Sequence, residues 1–142
     1  MIEQPGVALS RRLPEILSRE EIERLFAVTT NLKHRVLLMT TYSAGVSEVA
    51  RLKVCDIDSQ RMTLRVDQGK GAKGRYTLLS KRLLAELRRY WQAYRPREWL
   101  FPLRDGRGPI DSRSAQKIYY HAKEKAGIRK RCGIHGLRHA FA

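Results

Sequence analysis

The chain has 142 residues, with 29 lysines and arginines against 14 acidic residues and a net charge of +15. That length gives one domain with room for a core, and that charge points to a polyanionic partner, most simply nucleic acid. Two cysteines, Cys55 and Cys132, make no disulfide framework, so a reducing cytoplasm is expected; no apolar run nears the ~20 residues of a membrane span, and the opening MIEQPGVALSRR lacks the apolar core of a secretory signal.

Residues 1–12 read as a flexible lead-in, and 13–142 as the domain. Leu17-Ser18-Arg19-Glu20-Glu21-Ile22 is a helix start. Ser18 can cap, Glu21 can reach back as its capping-box partner, and Leu17 can staple to Ile22. Ile22, Leu25 and Phe26 form the buried stripe. A second helix, about Leu32 to Tyr42, is apolar on most sides and should be central. Ser43-Ala44-Gly45 interrupts it, and a short helix from Ser47 to Leu52 follows.

Met62 to Asp67 alternates as a strand, a glycine-rich turn runs from Gly69 to Gly74, and Arg75 to Leu79 returns as a second strand. The result is a β-hairpin with a basic tip. A long helix from about Lys81 to Tyr94 shows Leu83, Leu84, Leu87, Tyr90, Trp91 and Tyr94 on one side, and Pro96 ends it. Trp99-Leu100-Phe101-Pro102 is an apolar anchor before a loop. A helix from about Ser112 to Ala126 turns Ala115, Ile118, Tyr119 and Ala122 inward, with Gly127 as its stop. Aromatics do not alternate with the basic residues, so single-strand stacking is less favoured. The fold class is α+β, mainly helical, with one small antiparallel β-hairpin sheet.

The segment His135-Gly136-Leu137-Arg138-His139 carries the most chemistry. On a helix, His135, Arg138 and His139 share one face. Arginine offers a fixed fork of donors to phosphate oxygens, and histidine can exchange a proton near neutral pH. The same residues could be only a solvated charged face. Zinc fits poorly: a metalloprotease helix needs Glu after the first histidine, where Gly136 stands, and Cys132 has no second ligand pair beside it.

The motifs in order resemble the catalytic domain of the tyrosine recombinase (phage integrase) family. The carrying residues are Leu13-Pro14-x-x-Leu17-Ser18, Ser47-Glu48-Val49-Ala50-Arg51-Leu52, Asp56-Ile57-Asp58, Gly69-Lys70-Gly71-Ala72-Lys73, Leu100-Phe101-Pro102 and His135-x-Leu137-Arg138-His139-Ala140-Phe141-Ala142. The resemblance implies that family's catalytic-domain fold. It also implies strand cleavage and rejoining of double-stranded DNA through a 3′-phosphotyrosine, with no metal and no nucleotide cofactor. Other recombinase protomers would be partners, and no membrane is involved. Lys70 matches the hairpin lysine that protonates the leaving oxygen. His135 and Arg138 match the histidine and second arginine that clamp the phosphate. Lys73 and Arg75 would contact phosphates near the hairpin; His139 falls on the same DNA-facing helix and supports its packing.

Two family features depart. Gly-Leu-Arg-x-Ser-Glu stands here as Ala44-Gly45-Val46-Ser47-Glu48, as though a Leu-Arg pair were deleted, so the first clamping arginine is missing. Arg51 lies three residues after Glu48, at another angle of the helix. The nucleophilic tyrosine is expected a few tens of residues after H-x-x-R, and Tyr119 and Tyr120 precede it. The chain is therefore expected to bind DNA as an incomplete catalytic domain without cleaving it alone. Two alternatives stay open: a non-catalytic module that competes with an intact recombinase, and an unrelated basic protein that binds RNA.

Overall fold

The computed structural model describes residues 15–66 and 74–137. The lead-in, the hairpin tip with Lys70 and Lys73, and the terminal Arg138 and His139 lie outside the described residues.

The first helix, α1 (Arg19–Val28), begins as the capping signal requires. The Ser18 hydroxyl accepts the Glu21 N–H at 3.1 Å, and the Glu21 carboxylate accepts the Ser18 N–H at 2.8 Å. Ile22, Leu25 and Phe26 are its buried stripe. The next helix, α2 (Leu32–Ala44), is capped by Asn31, whose side chain accepts the His34 N–H at 3.0 Å. It packs against α1, the later helices and the sheet, and eight of its residues are buried. Three of them, Thr40, Thr41 and Ser43, are polar. The Thr40 and Thr41 hydroxyls donate to the Val36 and Leu37 carbonyls at 2.7 Å each, so neither is buried unpaired.

The Ser43-Ala44-Gly45 interruption falls at its last residue: α2 runs to Ala44 and breaks at Gly45. That residue has φ 100° and ψ 155°, a conformation open to glycine and strained for other residues. A five-residue helix, α3 (Val46–Ala50), follows and buries Val46 and Val49.

After a 3₁₀ turn at Val54–Asp56, the sheet has three antiparallel strands in the order β1 (Ile57–Asp58), β2 (Thr63–Val66), β3 (Arg75–Leu78). The hairpin pairs Thr63 with Leu78 and Val66 with Arg75. The extra strand pairs Ile57 with Leu64 and Asp58 with Thr63. Asp58 then holds the connecting turn, its Oδ1 accepting from the Gln60 and Arg61 N–H groups at 3.1 and 3.0 Å. Leu64, Val66 and Thr77 face the core, whereas Tyr76 and Leu78 of β3 face solvent.

The helix α4 (Lys81–Tyr94) starts at Ser80 and ends with Arg95 in the left-handed region, at φ 51° and ψ 53°. Leu83, Leu84, Leu87 and Tyr90 are buried as expected, but Trp91 and Tyr94 are 40% and 48% exposed. Trp91 instead carries the Arg95 guanidinium 4.2 Å above its ring. Leu100 and Phe101 anchor the following loop in the core, and the Tyr90 hydroxyl donates to the Leu100 carbonyl at 2.6 Å. The last long helix, α5 (Ser112–Lys125), is capped by Asp111 and stops before Gly127, at φ 72°. Ala115, Tyr119 and Ala122 are buried and Ile118 is half-buried. Arg24 of α1 donates to the Ala126 carbonyl at 2.9 Å, satisfying an end group of α5.

Candidate nucleic-acid interface

Residues 128–134 lead back from α5 to the segment that carries His135. The path is apolar inside, with Ile128, Cys132 and Ile134 buried, and basic outside. Lys130 bonds Glu21 at 2.8 Å and the Ile16 carbonyl at 2.9 Å. The Arg131 N–H donates to the Glu15 carboxylate. On the other side, the buried Tyr119 hydroxyl donates to the Cys132 carbonyl at 2.5 Å. The approach to His135 is thus tied to both α1 and α5.

A helical turn then begins. Gly136 N–H donates to the Gly133 carbonyl at 2.9 Å and Leu137 N–H to the Ile134 carbonyl at 3.1 Å. Ile134 and Leu137 are buried, and His135 between them is exposed. The absence of a side chain at 136 has a local cause: a Cβ there would stand 2.2 Å from the Cys132 sulfur. A Cβ at Gly133 would meet the Tyr120 hydroxyl at 3.3 Å. Small residues at 133 and 136 let this turn seat closely on α5 and on Cys132.

Arg75 lies at the base of the hairpin. It is half-buried, and its Nη2 donates to the Ala44 carbonyl, the last of α2, at 3.1 Å. Gly74 beside it lies close to β2, where a Cβ would meet the Val66 carbonyl oxygen at 3.1 Å. Ser47 is exposed and Glu48 half-buried on α3. Of the six sequence-derived site residues, His135 and Arg75 are described, on separate supports. Lys70, Lys73, Arg138 and His139 lie outside the described residues.

The tyrosines sort by burial. Tyr90 and Tyr119 are almost fully enclosed, and each donates its hydroxyl to a main-chain carbonyl. Burial first, with neighbouring Tyr94 for Tyr90 and Cys132 for Tyr119, pushes both phenols above their ordinary range. Neither is available as a nucleophile. Tyr120 is half-exposed, with its ring edge against Tyr119 and Lys123 over its face. Among the described residues, no three of His, Cys, Asp and Glu stand together as metal ligands, and no helix is long and apolar enough to cross a membrane.

One basic surface was not legible in the motifs. The end of α4 and the following loop enclose a hollow of about 400 Å³ that includes Arg95, Arg97, Arg107 and Trp99. Among the described residues no carboxylate pairs with these three arginines, whereas Lys53 pairs with Glu98 at 3.4 Å. Nearby, Lys33 donates to the Pro102 carbonyl at 3.2 Å; burial, and then Arg104, lower its pKa. The three arginines are spread over 13 positions around two prolines, so no periodic pattern marks them.

Comparison with known proteins agrees with the motif order. Residues 15–142 match the model of the phage integrase family. A putative integrase/recombinase of Sinorhizobium fredii is 45% identical over 134 residues, which is 93% of this chain and 44% of that protein. The crystal structure of XerA recombinase superimposes with a TM-score of 0.81 at 26% identity, over 91% of this chain and 48% of that one. A structure of XerH site-specific recombinase bound to its difH substrate shares the fold, with a TM-score of 0.74 at 24% identity, over 91% of this chain and 42% of that one. The chain spans about half the length of the relatives it matches. With the capped α1, the Ser47-Glu48 helix, the hairpin, the Leu-Phe-Pro anchor and the His135 turn all in the family's order, the chain belongs to the phage integrase family of tyrosine recombinases.

Proposed function

We propose that this chain is the phosphate-holding part of a site-specific recombinase catalytic domain, and that its ligand is double-stranded DNA. The observation that carries the reading is the family match over residues 15–142, in a chain with a net charge of +15. His135 and Arg138 would hold the phosphodiester as charge builds on it, and Lys70 at the hairpin tip would protonate the leaving oxygen. Lys73, Arg75 and His139 would contact the DNA around that phosphate. Further recombinase protomers are the expected protein partners, and the cytoplasm the expected location. The chemistry needs a tyrosine placed after the His135 segment. The stretch Ala44-Gly45-Val46-Ser47-Glu48 also carries no clamping arginine, and loss of one such donor costs about 10²–10³ in rate, so a covalent adduct on a nicked substrate is expected to form slowly if at all.

The test is a titration of a labelled duplex by fluorescence anisotropy over a range of salt, with unlabelled duplex DNA and RNA as competitors. The expected result is a linear fall of log K with log salt, by about 0.9 for each phosphate neutralised, and stronger competition by duplex DNA. Equal or better competition by RNA would defeat the reading.

A further inference from the structure

Arg75 opens β3 directly after the hairpin turn, and it does not extend into solvent. Its guanidinium is half-buried against the carbonyl that ends α2, at 3.1 Å. The partial negative charge of a helix C-terminus favours a cation there. One carbonyl uses one of the five N–H donors of the group. Arg35, Arg65 and Arg82 each face an acid: Glu86 at 2.9 Å, Asp56 at 3.8 Å and Glu23 at 2.7 Å. Among the described residues Arg75 has no carboxylate within ion-pair distance. A half-buried guanidinium, held at one corner and with donors to spare, suits an anion with two oxygens side by side, such as a phosphodiester.

Its location sharpens the point. The α2–α3 break at Gly45 is followed by Val46-Ser47-Glu48, the stretch that contains no arginine. We propose that Arg75 binds a DNA phosphate at the α2–α3 junction and supplies there, from the hairpin, the guanidinium that the junction's own sequence lacks. This rests on the DNA-binding reading above and adds which residue completes that part of the site.

The experiment compares DNA affinity and thermal stability for four proteins: the unmodified chain, Arg75→Gln, a Leu-Arg insertion between Gly45 and Val46, and both changes together. Glutamine keeps the aliphatic stem and a polar amide, two bonds shorter than the guanidinium, and has neither the charge nor the fork. Loss of one phosphate contact weakens binding about tenfold at ~0.1 M salt and lowers the salt slope by about one. Arg75→Gln is expected to show that loss with little change in melting temperature. The insertion should restore most of the affinity of Arg75→Gln and add little to the unmodified chain. Should the insertion prevent folding, Arg75→Lys is the substitute: the salt slope should survive while affinity falls, because the charge remains and the fork is gone. If Arg75→Gln binds DNA as the unmodified chain does, Arg75 only caps α2 and the proposal is wrong. Equal gains from the insertion in both backgrounds would also overturn it, as they would mark two independent contacts. Failure of the unmodified chain to bind duplex DNA is a separate result, which removes the proposed function itself.

Discussion

Gly136 and Cys132 should behave as one unit in the turn that presents His135. Adding a methyl group at 136 places it 2.2 Å from the Cys132 sulfur, where ordinary contact begins near 3.4 Å, so the sulfur must move by about 1.2 Å. It has little room: Cys132 is 6% exposed and its carbonyl is held by the Tyr119 hydroxyl. Overpacking of this kind costs about 1–3 kcal/mol. Against it stands the helical gain of alanine over glycine, up to about 1 kcal/mol. Gly136→Ala should therefore destabilise by roughly 1 kcal/mol, or about 4 °C in Tm for a domain of this size. In a Cys132→Ala background the clash disappears and the same change should be neutral or stabilising. Urea unfolding of the four proteins, followed by circular dichroism, gives the coupling energy, expected at about 1–3 kcal/mol. A coupling below about 0.5 kcal/mol, the range of independent sites, would refute the steric argument.

Tyr119→Phe leaves the buried Cys132 carbonyl without its donor and should cost about 1–3 kcal/mol in urea unfolding; Tyr120→Phe, half-exposed, should be near neutral, and equal losses would show that the hydroxyl of Tyr119 is not the cause. The Lys130 hydrogen bond, followed by the Ser18 N–H, holds the Glu21 carboxyl below its ordinary value of 4.5. A depressed carboxyl stabilises the fold above its unfolded pKa, and that contribution is lost as pH falls through the folded value. Stability should therefore drop as pH falls below about 4.5 more steeply in the unmodified chain than in Glu21→Gln, and parallel pH profiles would remove Glu21 from the account. Leu37→Ala, in the fully buried centre of α2, should cost about 2–5 kcal/mol, read from the urea midpoint; a loss under 1 kcal/mol would mean the core is looser than its burial implies.

The helices were legible where local chemistry decides them. Ser18 and Glu21 announce the start of α1, and the Leu83-Leu84-Leu87-Tyr90 spacing with Pro96 beyond it gives the bounds of α4. The end of α2 was legible only to within three residues: Ser43-Ala44-Gly45 marks the break, and the backbone of Gly45 is where it falls. The strand β1 has only two residues, too few to alternate, and exists because β2 offers it a partner. Trp91 and Tyr94 fall on the apolar side of the helical pattern but lie beyond the reach of the core. The family was legible from the order of its motifs. What sequence did not reveal was tertiary: the Tyr119 bond to Cys132, the close fit of Gly136 on that cysteine, and Arg75 meeting Ala44 across 31 residues. Each depends on segments whose approach no local pattern encodes.

The sheet sets a practical limit on handling this molecule. β3 lies at the edge of the described sheet and turns Tyr76 and Leu78 outward, at 66% and 76% exposure. Such an edge is a template for pairing with another copy, and a net charge of +15 opposes that approach. Salt screens that repulsion with the same Debye length that weakens phosphate contacts. Raising ionic strength to strip the protein from nucleic acid during purification therefore also removes its protection against self-association, and the two requirements meet only in a window of intermediate salt.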